Sequence, residues 1–272
     1  MTQITKNVAE LITKVRSKVP LIHNITNYVT VNDCANTVLA IGASPIMADD
    51  IAEAEDITSI SSALVINIGT LNQRTISSMI ASGKKANDLG IPVILDPVGA
   101  GASKLRNDTT KAILEQVKIS ILRGNLSEVS FVAGLEVSTK GVDSSDADAN
   151  NNAIAIAKAV AKNLNCVVAI TGAVDVISDG EKIVKIKNGL SMLSKVTGTG
   201  CMTSALVGSY AGSTKDYFTA AVAGVASMGI AGEIAYEKAG RIGIGSFHIA
   251  IIDALSNLDS KIIEEMAKLY EE

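Results

Sequence analysis

The stretch Lys195-Val196-Thr197-Gly198-Thr199-Gly200-Cys201-Met202, with the Ala- and Gly-rich run Thr203 to Ala211 behind it, puts two glycines, a thiol and a helix start side by side. Two glycines in a tight turn that opens a helix leave backbone N–H groups free and pointing outward, the local geometry that holds a phosphate or a developing anion. Cys201 falls in the first turn of that helix, where the positive end of the dipole is expected to lower its pKa. That is a site for phosphoryl transfer. The same residues also read as a glycine turn into a buried helix with Cys201 as a small core residue, so the rest of the chain has to decide.

In an open parallel sheet, ligands bind outside the carboxyl ends of the strands. The residues that follow the apolar runs here are His23-Asn24-Ile25-Thr26-Asn27, Met47-Ala48-Asp49-Asp50, Asn67-Ile68-Gly69-Thr70, Asp96-Pro97-Val98-Gly99-Ala100-Gly101, Arg123-Gly124-Asn125-Leu126-Ser127-Glu128 and Thr171-Gly172. Carboxylates, a guanidinium, amides and hydroxyls therefore converge on one edge. Asp96 and Glu128 suit Mg²⁺ held through water, because that ion takes oxygen ligands and keeps several waters in phosphate sites. Each has a plainer reading: Asp96 as a turn residue before Pro97, Glu128 as the capping-box partner of Asn125. Arg123 can meet a nucleotide phosphate or pair with a carboxylate, and Thr171 can bind nucleotide or cap a turn. His23 and His248 have no Ser/His/Asp or Cys/His spacing to organise them and read as structural. No lysine follows the glycines as in a Walker A loop, and no G-x-G-x-x-G opens on a strand, which weakens a hydride-transfer reading.

The elements that must position these residues are legible as short apolar runs alternating with helical stretches. Val8, Leu11, Ile12 and Val15 form an opening amphipathic helix that Pro20 stops. Leu21–His23, Ser44–Met47, Leu64–Ile68, Val93–Leu95, Ser120–Leu122 and Val167–Ile170 read as strands, each but the last followed by a helix. This alternation implies parallel strands with right-handed crossovers and helices on both faces. Val174–Ser178 and Lys182–Lys187 around Asp179-Gly180 read as an antiparallel hairpin at one edge. From Gly200 onward no strand signal appears, and helices are expected over about 201–211, 216–239, 246–257 and 259–271. The polar run Asp143 to Asn152 reads as a surface loop entering a helix, and one domain is expected over residues 1–272.

With 47% hydrophobic residues, 3% aromatic and no Trp, the core must be built from Ile, Val, Leu and Ala, as suits a buried parallel sheet. A net charge of -4 supplies no basic stripe for nucleic acid, so any phosphate ligand must be met locally. Cys34, Cys166 and Cys201 are far apart with no C-x-x-C, which suggests neither a disulfide framework nor a zinc site and fits a reducing cytoplasm. The N-terminus carries no secretory pattern. Tyr217 to Ala235 is long and apolar, but its Ala and Gly contribute little to insertion, so a buried helix and no membrane partner are expected.

Seven motifs in order, Pro20-Leu-Ile-His-Asn-Ile-Thr-Asn27, Ala43-Ser-Pro-Ile-Met47, Asn67-Ile-Gly-Thr-Leu71, Asp96-Pro-Val-Gly-Ala100, Arg123-Gly-Asn-Leu-Ser-Glu128, Thr171-Gly172 and Val196-Thr-Gly-Thr-Gly-Cys201, resemble the hydroxyethylthiazole kinase family of the ribokinase-like superfamily. The resemblance implies a three-layer α/β/α fold with a mostly parallel central sheet. It also implies ATP-dependent phosphorylation of 4-methyl-5-(2-hydroxyethyl)thiazole in thiamine salvage, Mg²⁺, and a homotrimer with active sites at subunit contacts. By it, Met47 and Gly198 bind the thiazole, Arg123 and Thr171 bind ATP, Cys201 is catalytic, and Asp96 and Glu128 hold the metal. Asn24 and Gly69 line the alcohol pocket. The residues agree in one respect: no Arg or Lys lies near the first two strand ends, so a small uncharged substrate is favoured. The competing readings are a hydroxymethylpyrimidine or hydroxymethylpyrimidine-phosphate kinase, an ATP-dependent NAD(P)H-hydrate dehydratase and a non-catalytic nucleotide sensor. The opening helix and its P-L-I-H-N-I-T-N disfavour the first, and Cys201 in place of Asp disfavours the second.

Overall fold

The computed structural model describes residues 2–135 and 146–272. In chain order the elements are α1 Gln3–Lys18, β1 Leu21–Ile25, α2 Val31–Ile41, β2 Ser44–Ile46, α3 Ala54–Ile60, β3 Ala63–Asn67, α4 Gln73–Leu89, β4 Val93–Asp96, α5 Lys104–Gln116, β5 Ile121–Asn125, α6 Leu126–Val132, α7 Asp146–Leu164, β6 Val167–Thr171, β7 Asp175–Ser178, β8 Ile183–Ile186, a 3₁₀ turn Ser191–Lys195, α8 Thr199–Ala211, α9 Tyr217–Ala239, α10 Ile244–Asn257, α11 Ser260–Met266 and β9 Leu269–Glu271. One nine-stranded sheet runs in the order β2-β1-β3-β4-β5-β6-β7-β8-β9. The first six strands pair in parallel, and the rest are added antiparallel.

Alternation along each strand divides the core into two layers. Ala63 and Val65 of β3 face a cluster built with α1, α2, α8, α9 and α10, while Leu64 and Ile66 face one built with α4, α5, α6 and α7. Both faces are covered, so β3 and β4 are buried at every position, as parallel strands with helices on each side must be. The three-layer α/β/α expectation holds. α9 is long and apolar enough to cross a membrane, yet 89% of its apolar window is buried among α8, α10, α1 and the sheet. It is the core helix that its Ala and Gly content predicts.

Three local expectations need correction. The segment read as a helix over 259–271 ends at Met266, and Leu269–Glu271 becomes β9, an edge strand on β8. Three residues with one buried, Leu269, are too few to show a strand period, so only the free edge of β8 decides this pairing. The β7–β8 hairpin therefore lies one strand in from the edge. The run Asp143 to Asn152 is helical from Asp146 onward, and its first three residues lie outside the described residues.

Candidate active site

β1 has β2 on one side and β3 on the other, so the strand order reverses there and a crevice opens beyond the carboxyl ends of β1 and β3. Asn27, just past β1, and Asn67, the last residue of β3, meet across it. The Asn27 Nδ2 donates to Asn67 Oδ1 at 3.0 Å and to Cys201 Sγ at 3.2 Å. The Asn67 Nδ2 donates to Cys201 Sγ at 3.3 Å and to Asp96 Oδ2 at 2.9 Å. The Gly69 N–H, donating to Asn67 Oδ1 at 2.9 Å, fixes which end of that amide is the acceptor. One sulfur thus receives two amide donors in a chain that ends on a buried carboxylate.

The helix under the sulfur starts as the glycine pattern demands. Gly198 is the N-cap of α8 at φ 88°, a left-handed conformation that a side chain resists. A Cβ there would lie 2.5 Å from Thr30 Cγ2, so close approach selects glycine as well. The Gly198 carbonyl closes the first turn by accepting from the Met202 N–H at 2.8 Å. Thr199, Gly200 and Cys201 have no backbone acceptor for their N–H groups among the described residues, which leaves three donors at a positive helix end.

Cys201 itself corrects the sequence expectation. Its thiol pKa is raised rather than lowered, first by burial and then by the Asp96 charge, against the favourable contacts of Thr30, Asn27 and Asn67. Proximity to a helix N-terminus is readable from sequence; a carboxylate arriving from another strand is not. The sulfur at neutral pH is a hydrogen-bonding thiol.

Asp96 has no exposed surface, and its Oδ2 accepts from Ser204 Oγ at 2.7 Å and from Arg123 Nη1 at 3.5 Å besides Asn67. Burial above all pushes its carboxyl up to about 6. Its Oδ1 is buried without any partner, as is the Arg123 Nε. A buried anion and a buried cation with unused valences on the same site are complementary to an incoming metal or phosphate. Glu128 is committed differently. It forms the capping box with Asn125, with its Oε2 accepting from the Asn125 N–H at 2.8 Å, while its Oε1 accepts from the Gly99 N–H at 2.9 Å. The plainer reading of Glu128 is therefore present, and only its remaining lone pairs are open to water or a metal.

Arg123 Nη2 donates to Thr171 Oγ1 at 2.6 Å, which joins the two expected nucleotide residues into one unit across β5 and β6. They line a cavity of about 480 Å³ together with Gly200, Leu190, Leu193 and Met228. Asp175, absent from the sequence reading, lines it too. Its carboxyl accepts from the Gly172 N–H at 2.9 Å and is pushed up to about 7 by burial. A cavity of this size with apolar walls, a guanidinium and the free N–H groups of α8 suits a nucleotide.

Met47 is half-buried past the end of β2 and packs on the core. Asn24 is buried inside β1 and donates to the Ile22 carbonyl at 3.0 Å, with its Oδ1 unpartnered. Neither makes a hydrogen bond into the Cys201 chain, whereas Gly69, Gly198, Arg123, Thr171 and Asp96 are drawn together around it. His23 is structural as expected: its Nε2 donates to the Ala48 carbonyl at 2.7 Å, its Nδ1 meets Thr58 Oγ1 at 2.9 Å, and burial lowers its pKa. The residues missed were Asn27, Asn67, Asp175 and Ser204. The two asparagines stood at strand ends, but nothing in their spacing announced that they share one thiol.

Comparison with known proteins gives a consistent result. The hydroxyethylthiazole kinase family model matches residues 12–261. The hydroxyethylthiazole kinase of Ruminiclostridium cellulolyticum is 70% identical over 272 residues, 100% of both chains, and that of Clostridium beijerinckii is 67% identical over 99% of both. The solved structure of a hydroxyethylthiazole kinase protein from Pyrococcus horikoshii OT3 superposes with a TM-score of 0.89 at 38% identity, covering 97% of this chain and 98% of that one. A pyridoxal kinase of Bacillus subtilis, in an ADP complex, superposes at 0.58 with 18% identity over 78% of this chain and 90% of that one, which shows the shared fold.

Proposed function

Since the chain belongs to the hydroxyethylthiazole kinase family and is a kinase that phosphorylates the hydroxyl of 4-methyl-5-(2-hydroxyethyl)thiazole with ATP as co-substrate, we propose that this transfer takes place at Cys201, above the glycine turn. The observation that carries the assignment is the sulfur held by Asn27 and Asn67 beside the free N–H groups of α8 and the Arg123 cavity. ATP lies in that cavity with its phosphates toward Arg123, Thr171 and the start of α8. The thiazole enters from the β1–β3 crevice, where Met47 and Gly198 form its walls and Gly69 and Asn24 line the alcohol end.

In a loose phosphoryl-transfer transition state the nucleophile's proton leaves late, so positioning and charge neutralisation supply most of the rate. A neutral thiol suits that demand. Cys201 orients the substrate hydroxyl by accepting its hydrogen bond, and the hydroxyl proton passes to an oxygen of the transferred phosphoryl group as the new O–P bond forms. The amides of Asn27 and Asn67, which both donate to the sulfur, hold it in position for that contact. The N–H groups of Thr199, Gly200 and Cys201 face the charge spreading over the phosphoryl oxygens.

The orphan Oδ1 of Asp96 fits a hard cation, and Glu128 fits one through water alone, since both its oxygens already accept backbone N–H groups. Mg²⁺ bound there would offset phosphate charge. A homotrimer is supported by exposed apolar side chains next to the crevice, Tyr28 at 77%, Val29 at 54% and Ile51 at 48% exposure, which a neighbouring copy would cover. We place the enzyme in the cytoplasm, where ATP is present and its three cysteines stay reduced.

The test incubates the protein with Mg-ATP and either hydroxyethylthiazole or hydroxymethylpyrimidine, following ADP release and product mass. Phosphate added to the thiazole and not to the pyrimidine is the expected result; preference for the pyrimidine refutes the substrate assignment. Sedimentation of the same sample reports the trimer.

A further inference from the structure

We infer that Arg106, on the first turn of α5, is a positioning residue for phosphoryl transfer: its guanidinium ties the loop after β3 to the loop after β4 and so sets the amide that holds Cys201. The inference rests on the assignment of Cys201 to the reacting end of the site. Arg106 Nη1 donates to the Ile68 carbonyl at 2.8 Å and to the Val98 carbonyl, and its Nη2 donates to the Gly69 carbonyl at 2.6 Å. Three carbonyls from two loops therefore converge on one planar fork. An ammonium in the same place is a point charge with no fixed fork to match them.

The connection to the thiol is short and unbroken. Gly69, whose carbonyl Arg106 holds, donates its own N–H to Asn67 Oδ1, and the other end of that amide donates to Cys201 Sγ and Asp96 Oδ2. Gly69 has no room to shift sideways: a Cβ on it would lie 2.9 Å from both the Asn27 Nδ2 and the Asn67 Oδ1. On the other loop, Val98 is held by Arg106 while the Gly99 N–H donates to Glu128, so the segment that follows Asp96 is gripped from both sides. A displacement of Gly69 is transmitted through Asn67 to the sulfur. The nucleotide cavity is lined from β5, β6, β7, the segment Asn188–Ser194, α8 and α9, and by no residue of these two loops.

Arg106→Lys keeps the charge and loses the fork, and Arg106→Ala opens a space that added guanidinium can fill. Both are compared with the wild type for kcat, for KM of each substrate and for thermal midpoint. The expected result is a fall in kcat of about 10–100-fold in each variant, the range that small misplacements of reacting groups produce. KM for ATP should stay within about twofold, and guanidinium but not methylammonium should restore turnover to Arg106→Ala. Wild-type kcat in Arg106→Lys overturns the inference. So does a fall in kcat accompanied by an equal loss of ATP binding and thermal midpoint, since that is the signature of a merely structural role. Should Arg106→Ala fail to fold, Arg106→Lys decides the matter through its kcat and KM alone. Cys201→Ala, run in parallel, keeps the two readings apart: undiminished turnover in that variant counts against the assignment of the site, whereas an indifferent Arg106→Lys beside an impaired Cys201→Ala counts against Arg106 alone.

Discussion

Replacing Asp96 by Asn should make stability less sensitive to pH while abolishing most of the activity. Asp96 is fully buried, and burial, with Glu128 adding repulsion, raises its carboxyl from 3.8 to about 6 in spite of Arg123, Ser204 and Asn67. Between those two values the folded protein keeps a proton that the unfolded chain has released, so this group favours folding at low pH and loses that contribution as pH rises through about 6. The shift from 3.8 to about 6 corresponds, at 1.36 kcal/mol per unit, to about 3 kcal/mol. The attraction of Arg123 is already inside that figure, so breaking the ion pair adds nothing further. An asparagine carries no charge at any pH, and with its oxygen in place of Oδ2 it can still accept from Asn67 and Ser204. Its amide then occupies the position of the unpartnered Oδ1, a penalty that is the same at every pH and cancels when slopes are compared. Asp175 titrates in both proteins and also drops out. Urea unfolding of the two proteins in metal-free and nucleotide-free buffer supplies the test. Going from about pH 4 to about pH 8, the wild type should lose about 2–3 kcal/mol more than Asp96→Asn. Parallel stability curves would refute the reasoning, because they would mean that the ionised carboxylate is as well accommodated inside the fold as in the unfolded chain. In the same preparation kcat should fall by about 100-fold or more, as expected on removing a charged group from a phosphoryl-transfer site.

Two further substitutions probe the thiol and the turn beneath it. Cys201→Ala should lower kcat by about 10–100-fold, the range that misplacing a reacting group produces, and Cys201→Asp, which also offers an acceptor, should stay active; unchanged turnover in Cys201→Ala would remove the orienting role. Gly198→Ala should lower both thermal midpoint and kcat, since the φ of 88° alone costs a side chain about 1–2 kcal/mol and the new Cβ meets Thr30 at 2.5 Å. Adding Thr30→Ser removes the 2.5 Å contact with Cγ2 but leaves the 3.1 Å one with Cβ and the backbone strain, so the double variant should recover only in part. Complete recovery would assign the whole effect to the contact.

Much of the architecture was legible in the chain because parallel strands buried on both faces are written as short, uninterrupted apolar runs. Leu64 to Ile66 and Val93 to Leu95 leave few other readings once helical stretches follow them. The turn at Gly198 and Gly200 was legible for a similar reason: glycine is the residue that a left-handed N-cap admits, and that constraint is local. The hairpin around Asp179-Gly180 announced itself in the same way. Local chemistry stops short of the C-terminus, where β9 exists because β8 has an unpaired edge, and of the 3₁₀ turn Ser191–Lys195, which shows no apolar period.

The active site was legible as a set of strand ends and illegible as a set of contacts. Sequence position says that Asn27, Asn67, Asp96, Arg123 and Thr171 stand near one edge, because successive parallel strands all end there. It does not say that Asn27 and Asn67 share the Cys201 sulfur, that Ser204 reaches Asp96, or that Glu128 uses both oxygens on backbone. Those contacts join residues up to 174 positions apart, and they arise where β1 and β3 flank the reversal of strand order. The thiol shows the division most clearly. Its place at a helix start was determined by Gly198 and Gly200 alone, whereas the direction of its pKa shift was decided by burial and by a carboxylate that only the folded sheet brings beside it.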